Sequence, residues 1–133
     1  MSEPTIRLAT PEDLRFVHSS WHTNHWKTWA HKHVSRDVYN AGQDRRINLA
    51  VARSTVLVAY FPEVPDEVLG WACIEEAPEV LHYVYVKGVY RRMGIGTGLV
   101  KNRTRYFTHY TDAAGKRFAA AVGITFHPYK EQV

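Results

Sequence analysis

The chain has 133 residues, which suits one domain spanning 1–133 and able to bury roughly two-thirds of its unfolded surface without disulfides or metal. Lysine and arginine total 17 against 13 acids, a net charge of +4 that favours anionic ligands without naming one. The single cysteine, Cys73, excludes an internal disulfide framework and a CxxC metal or redox site. No apolar run nears the roughly 20 residues that span a bilayer, and Met1–Arg7 lacks the basic-then-apolar pattern of a secretory leader, so no membrane partner and a cytoplasmic location are expected.

Ile6 and Leu8 alternate with polar neighbours as a short strand does, and Thr10-Pro11-Glu12-Asp13 combines the cap, first-turn proline and early acids of a helix start. Leu14, Val17 and Trp21 continue at helical spacing. Residues 22–42, crowded with Trp, His, Lys and Asn, show no clear period and read as a helix-loop-helix surface segment. Ile47, Leu49, Ala50 and Val51 belong to a second helix ending near Arg53. Thr55–Phe61 is rich in β-formers, Pro62–Glu67 is a turn, and Val68–Glu75 returns as the second strand of a hairpin. Cys73 falls mid-strand among apolar neighbours, the place of a small core residue rather than a nucleophile.

After Ala77-Pro78 come a strand, Val80–Val86, a glycine-containing turn and a helix predicted from Gly94 to about Phe107. A short strand around Tyr110, a helix from about Asp112 to Val122 stopped by Gly123, and a strand from Ile124 to His127 complete the chain. The order β-α-α-β-β-β-α-β-α-β predicts an α/β fold of the mixed, α+β type: a sheet covered by helices.

The segment from Leu81 to Val100 joins a strand, a basic turn with glycines two apart and an apolar helix. Helix N-termini expose unpaired N–H groups, glycine lets a phosphate approach the backbone, and Arg91 and Arg92 add positive charge, so the turn reads as a diphosphate cradle. It is not a P-loop, lacking Gly-Lys-Ser/Thr. Nor is it a dinucleotide fingerprint, because Gly94-Ile95-Gly96 has no third glycine and no acid about 20 positions later.

Val86, Tyr90 and Arg91-Arg92-Met93-Gly94-Ile95-Gly96 resemble the acetyl-CoA signature of the GNAT N-acetyltransferase superfamily, Gln/Arg-x-x-Gly-x-Gly/Ala behind a fourth strand. The order of elements is similar to that family's along most of the chain. The resemblance implies a central, mostly antiparallel sheet with helices on both faces. It also implies acetyl-CoA as acyl donor, its pyrophosphate on the backbone of Arg91, Arg92, Met93, Gly94, Ile95, Gly96 and Thr97, and its pantetheine arm along Tyr83–Val86. A backbone amide near Tyr85 or Val86 would then polarise the thioester carbonyl.

An acceptor amine with a pKa near 10.4 is mostly ammonium at neutral pH, so transfer requires a base. Family members often place a glutamate near the start of the fourth strand. Glu79 stands about there, with Glu75 and Glu76 at the end of the third strand and His82 as the other candidate. The family's usual acid, a tyrosine ahead of a Gly-Phe pair, is absent: counting back from Gly123-Ile124 puts Ala119 at its place, with Tyr110 and His109 as substitutes by proximity. The missing tyrosine leaves a second class of function open, a GNAT-fold module that binds CoA or a protein without much catalysis.

Five of eight histidines and three of four tryptophans fall between His18 and His33. His18 and His22 have helical metal-ligand spacing, but no Glu accompanies them as in His-Glu-x-x-His, so no metal is assigned. In the family the first two helices wall the acceptor side, which makes Trp21, Trp26 and Trp29 candidates for an aromatic acceptor floor. Lys27, Lys32, Arg36, Arg45 and Arg46 beside these aromatics keep a nucleic-acid-directed acyltransferase as a third class, though +4 is too small a charge to require it. A small-molecule or protein amine acceptor is the expected partner, and a homodimer is left open.

Overall fold

The structure, a computed structural model, describes residues 3–76 and 79–129. The Ala77-Pro78 break lies outside the described residues, as do Met1 and Ser2 of the leader reading. Four strands, β1 (Thr5–Leu8), β2 (Thr55–Tyr60), β3 (Gly70–Glu75) and β4 (Val80–Val86), form an antiparallel meander. Two short parallel strands, β5 (Tyr106–Phe107) and β6 (Thr125–Phe126), extend the sheet in the order β1-β2-β3-β4-β5-β6. Between β1 and β2 the chain forms α1 (Pro11–Thr28), a 3₁₀ turn (Ala30–Lys32) and α2 (Arg36–Arg53). After β4 come α3 (Ile95–Val100) and α4 (Ala113–Val122).

Strand alternation sorts the core onto two faces. Val56 and Val58 of β2 and Trp71 and Cys73 of β3 pack with Val17, Trp21, Ile47 and Ala50 of α1 and α2. Ala59, Ala72, Ile74 and Leu81 turn the other way, against Ile95, Leu99 and Val100 of α3 and Ala119 of α4. Helices therefore cover both faces. Among the described residues no helix is long and apolar enough to cross a membrane.

The start of α1 is fixed by a capping box: the Asp13 N–H donates to the Thr10 hydroxyl, and the Thr10 N–H donates to the Asp13 carboxylate at 2.8 Å. Arg7 pairs with the same carboxylate and ties the helix to β1. The helix continues to Thr28, past the point where a loop was expected, because Val17, Trp21 and His25 stand four apart and all are buried. The predicted helix from Gly94 to Phe107 is, by contrast, only Ile95–Val100. Gly96 and Gly98 weaken it, Asn102 takes φ 66°, and the Arg105 N–H is drawn to the Glu79 carbonyl at 2.8 Å. The strand placed around Tyr110 forms instead at Tyr106–Phe107, where pairing with Val80–Leu81 is available. Asp112 and left-handed Gly123 bound α4 as expected, with the Gly115 N–H donating to the Asp112 carboxylate.

Candidate active site

Strands β4 and β5 share only the pairs Val80↔Tyr106 and Leu81↔Phe107, continued by a Thr108 N–H to Leu81 carbonyl bond at 3.2 Å. Beyond that point they part. A cleft of about 510 Å³ fills the opening, with α1 at one end and the Arg91–Thr97 turn at the other. The Lys87 N–H donates to the Leu69 carbonyl of the chain entering β3, and alternation along the strand turns the N–H groups of Val86 and Val84 to the opening. The amide of Tyr85 faces β3, so of the two amides expected near the acyl group Val86 has the right direction, joined by Val84.

Arg92 takes φ 69° and Gly94 φ 76°, a pair of left-handed residues that folds the turn tightly before α3. The first N–H groups of α3 have no acceptor within the helix. A Cβ at Gly94 would meet no atom within 4 Å, so its place is open cleft, whereas one at Gly96 would lie 3.2 Å from the Phe118 ring. The turn is therefore open on its cleft side at Gly94. Arg91 donates from Nε to the Val86 carbonyl at 3.2 Å, closing the turn onto the end of β4. Six residues of helix contribute little macrodipole, which leaves backbone amides and the two arginines as the positive features of the turn.

Tyr85, Val86, Arg91, Arg92, Gly94, Ile95, Gly96 and Thr97 all border the cleft; Met93 does not and is half exposed. Of the candidate bases, His82 borders it. Glu79 does not: it sits in the turn before β4 with φ 68°, its carboxylate on Arg105. Tyr110 is also outside, 45 % exposed, stacked on Trp29 and tilted against Phe126 with ring centroids at 4.9 Å each. None of the three tryptophans forms a cleft floor. Trp21 is buried core against Trp71 and Tyr83, Trp26 packs on Tyr39 under Arg36, and Trp29 stacks on His25 and His33.

The end of the cleft near α1 is polar, formed by Asn24 and Thr28 of α1, Tyr83, His109, Thr111 and Asp112. The Asn24 amide donates to the Tyr83 hydroxyl at 2.7 Å. Asn24 and Thr28 escape sequence reasoning; their spacing of four, which puts both on one face of a helix, is the one signal the sequence offers. His18 and His22 each approach Asp44 of α2 at 3.6 Å, on the side of α1 that faces that helix.

Burial shapes the titration of this region. It pushes the Tyr83 hydroxyl up to about 12 and the Cys73 thiol up to about 12, and it lowers His25 to about 4, with Arg46 adding to the effect. His109 is lowered well below the usual histidine value by burial, then by Arg46 and His25. Both imidazoles are thus neutral when folded, while the unfolded chain binds protons below about pH 6.5. Stability is therefore fully present above pH 6.5 and is lost as pH falls from there toward about 4. The urea midpoint should decline through that window, and a midpoint constant from pH 7.5 to 4.5 would contradict the buried neutral rings.

Residues 16–125 match the acetyltransferase (GNAT) family. A comparison with curated proteins returns no match. Similar solved structures include a GCN5-related N-acetyltransferase from Rhodopseudomonas palustris, at TM-score 0.53 and 19% identity over 91% of this chain and 68% of that one. The aminoglycoside 6'-N-acetyltransferase AAC(6')-Ih from Acinetobacter baumannii gives TM-score 0.51 and 19% identity over 91% and 90%. AAC(6')-Iy, solved with a CoA-linked bisubstrate analogue, gives 0.51 and 13% over 92% and 91%. At these identities the structural likeness speaks for the fold, and together with the family match over most of the sequence it establishes that the chain belongs to the GNAT acetyltransferase family.

Proposed function

We propose that the chain acts as one domain that transfers an acetyl group from acetyl-CoA to a primary amine by direct attack within a ternary complex. The observation that carries this reading is the cleft itself: one end presents open backbone and arginines, the other presents polar side chains, and β4 turns the Val84 and Val86 N–H groups between them. Acetyl-CoA, when bound, supplies an acyl group activated as a thioester. The turn from Arg91 to Thr97 would hold its diphosphate, with Gly94 keeping a side chain out of the way and Gly96 making room for the Phe118 ring. Val84 and Val86 offer donors where negative charge gathers on the acyl oxygen. Asn24, Thr28 and Tyr83 orient the acceptor, which supplies rate through positioning.

Cys73 takes no part. It is buried in β3 on the α1 and α2 side, and burial raises its thiol to about 12, so a thiolate nucleophile is disfavoured.

The test combines binding, turnover and mass. Acetyl-CoA at 100-fold its dissociation constant should add about 2.7 kcal/mol of stability. Thiol release should then need an amine from a panel of alkylamine, polyamine, amino sugar and lysine peptide. Intact mass after acetyl-CoA alone should be unchanged. No thermal shift at millimolar acetyl-CoA would remove the donor assignment, and an acetyl adduct that chases onto an amine would replace direct attack with a covalent route.

A further inference from the structure

The cleft histidines belong to a hydrogen-bonded row that crosses the sheet. Tyr83 pairs with Cys73 and Leu81 with Ile74, so His82 is an extra residue, a bulge in β4 beside Glu75 at the end of β3. Glu75 Oε1 lies 3.0 Å from His82 Nε2, and His82 Nδ1 lies 3.0 Å from Thr108 Oγ1. Thr108 Oγ1 is 3.4 Å from His109 Nδ1, and His109 Nε2 is 3.2 Å from Gln43 Nε2 on α2. His82, Thr108, His109 and Gln43 are buried, whereas the Glu75 side chain keeps 13% exposure and pairs with Arg53.

The proton pattern of this row follows from its two ends. A carboxylate only accepts, so His82 Nε2 carries a hydrogen and His82 Nδ1 is bare. Thr108 has one hydroxyl proton, which it donates to that bare nitrogen. Its oxygen then accepts from His109 Nδ1–H, and His109 Nε2 accepts a side-chain N–H of Gln43. Every donor meets an acceptor with both rings neutral, and all four bonds point from Gln43 toward Glu75.

We propose that Glu75, His82, Thr108 and His109 act as a reversible proton store for acyl transfer, taking one proton from the acceptor amine and returning it to the departing CoA sulfur. The proposal rests on the acetyl-transfer reading above. A proton taken up at His109 Nε2, with the Gln43 amide turning its oxygen to it, sends the His109 Nδ1 proton to Thr108. The Thr108 proton moves to His82 Nδ1, and the His82 Nε2 proton moves to Glu75. The only charge change is carboxylate to carboxyl, and both imidazoles stay neutral in the interior. The return journey resets every bond.

The balance closes over the reaction. On its way from ammonium to amide the acceptor nitrogen gives up two protons while its C–N bond forms and the thioester C–S bond breaks. One proton passes through the store to the sulfur, and the other leaves to solvent. The store thereby fills the acid role for which Ala119, a methyl in the cleft wall, has no group.

The surroundings favour this resting state. His82 borders both the cleft and a second cavity of about 260 Å³ on the α2 side, shared with Arg45, Arg46 and Arg53. The groups facing the row are Arg46 and Arg53 from α2, His25 from α1, Tyr83 from β4 and Asp112 at the cleft rim. Arg53 pairs with the Glu75 carboxylate at 3.4 Å, and Arg46 donates to the Thr108 carbonyl at 3.2 Å.

Long-range ¹H–¹⁵N spectra of the intact, labelled chain at pH 7 test the pattern directly. His82 should be protonated at Nε2 and His109 at Nδ1, both neutral. Thr108→Val cuts the row between the rings, so His82 should keep its tautomer, His109 should become a mixture, and Thr108→Ser should restore it. With the amine that turns over in the panel, Thr108→Val should lower kcat about 100-fold at pH 7 with an unchanged thermal shift by acetyl-CoA, and Thr108→Ser should recover most of it. A wild-type His109 protonated at Nε2, or a His109 tautomer indifferent to Thr108→Val, overturns the store, as does full activity in Thr108→Val. Absence of any acetyl-CoA thermal shift would instead remove the acetyl-transfer reading on which the store depends, whatever the tautomers.

Discussion

Gly94→Asp should weaken acetyl-CoA binding at least about 100-fold, a loss of about 2.8 kcal/mol at 1.4 kcal/mol per tenfold. Gly94 stands at φ 76° with open cleft where its Cβ would be, so the new carboxylate enters the space proposed for a diphosphate and repels it. The left-handed backbone adds about 1–2 kcal/mol of strain, small enough to leave a folded chain. Gly98→Ala is the matched control, because it lies on the exposed side of α3 with no atom within 4 Å of the added Cβ and should bind as the parent does. Titration calorimetry with acetyl-CoA separates the two. Undiminished binding in Gly94→Asp would remove the diphosphate from this turn.

Trp21→Ala should cost about 3–5 kcal/mol of stability, the range for deleting a buried aromatic. Trp21 is fully buried, with ring centroids 5.5 Å from Trp71, 5.3 Å from Tyr83 and 5.1 Å from His109. Its loss leaves a cavity where α1, β3 and β4 meet, directly behind the histidines of the cleft. Trp26→Ala removes a half-buried ring between Tyr39 and Arg36 and should cost less. Urea unfolding monitored by circular dichroism checks both, and a Trp21→Ala loss below that of Trp26→Ala would return Trp21 to the acceptor surface.

That contrast shows where the sequence was legible and where it was not. The cap at Thr10, the hairpin of β2 and β3, the start of α4 at Asp112 and its stop at Gly123 are local devices, read from a few adjacent residues. The Arg91–Thr97 turn was legible for the same reason. Trp21 was misplaced because the buried stripe of α1 includes His25 and Asp13, polar residues that blur the apolar period. The end of α3 was overrun because a two-residue strand such as β5 leaves no periodic trace. The row from Glu75 to His109 was out of reach, since the register of β3 and β4 and a bulge at His82 are what bring residues 75, 82 and 108 together.

The pairing of β4 with β5, two residues long, also sets how the molecule comes apart by degrees. Amide exchange by local opening needs the least work where few backbone bonds must break at once. The four strands from β1 to β4 pair over four to six residues each with a core on either face, so they should form the slow-exchanging unit. Strands β5 and β6, held by two register pairs at each ladder, should open before them and take one wall of the cleft along. Ligands that bridge both walls then fasten this outer unit to the inner one, and the donor that occupies the cleft becomes part of what holds the end of the sheet closed.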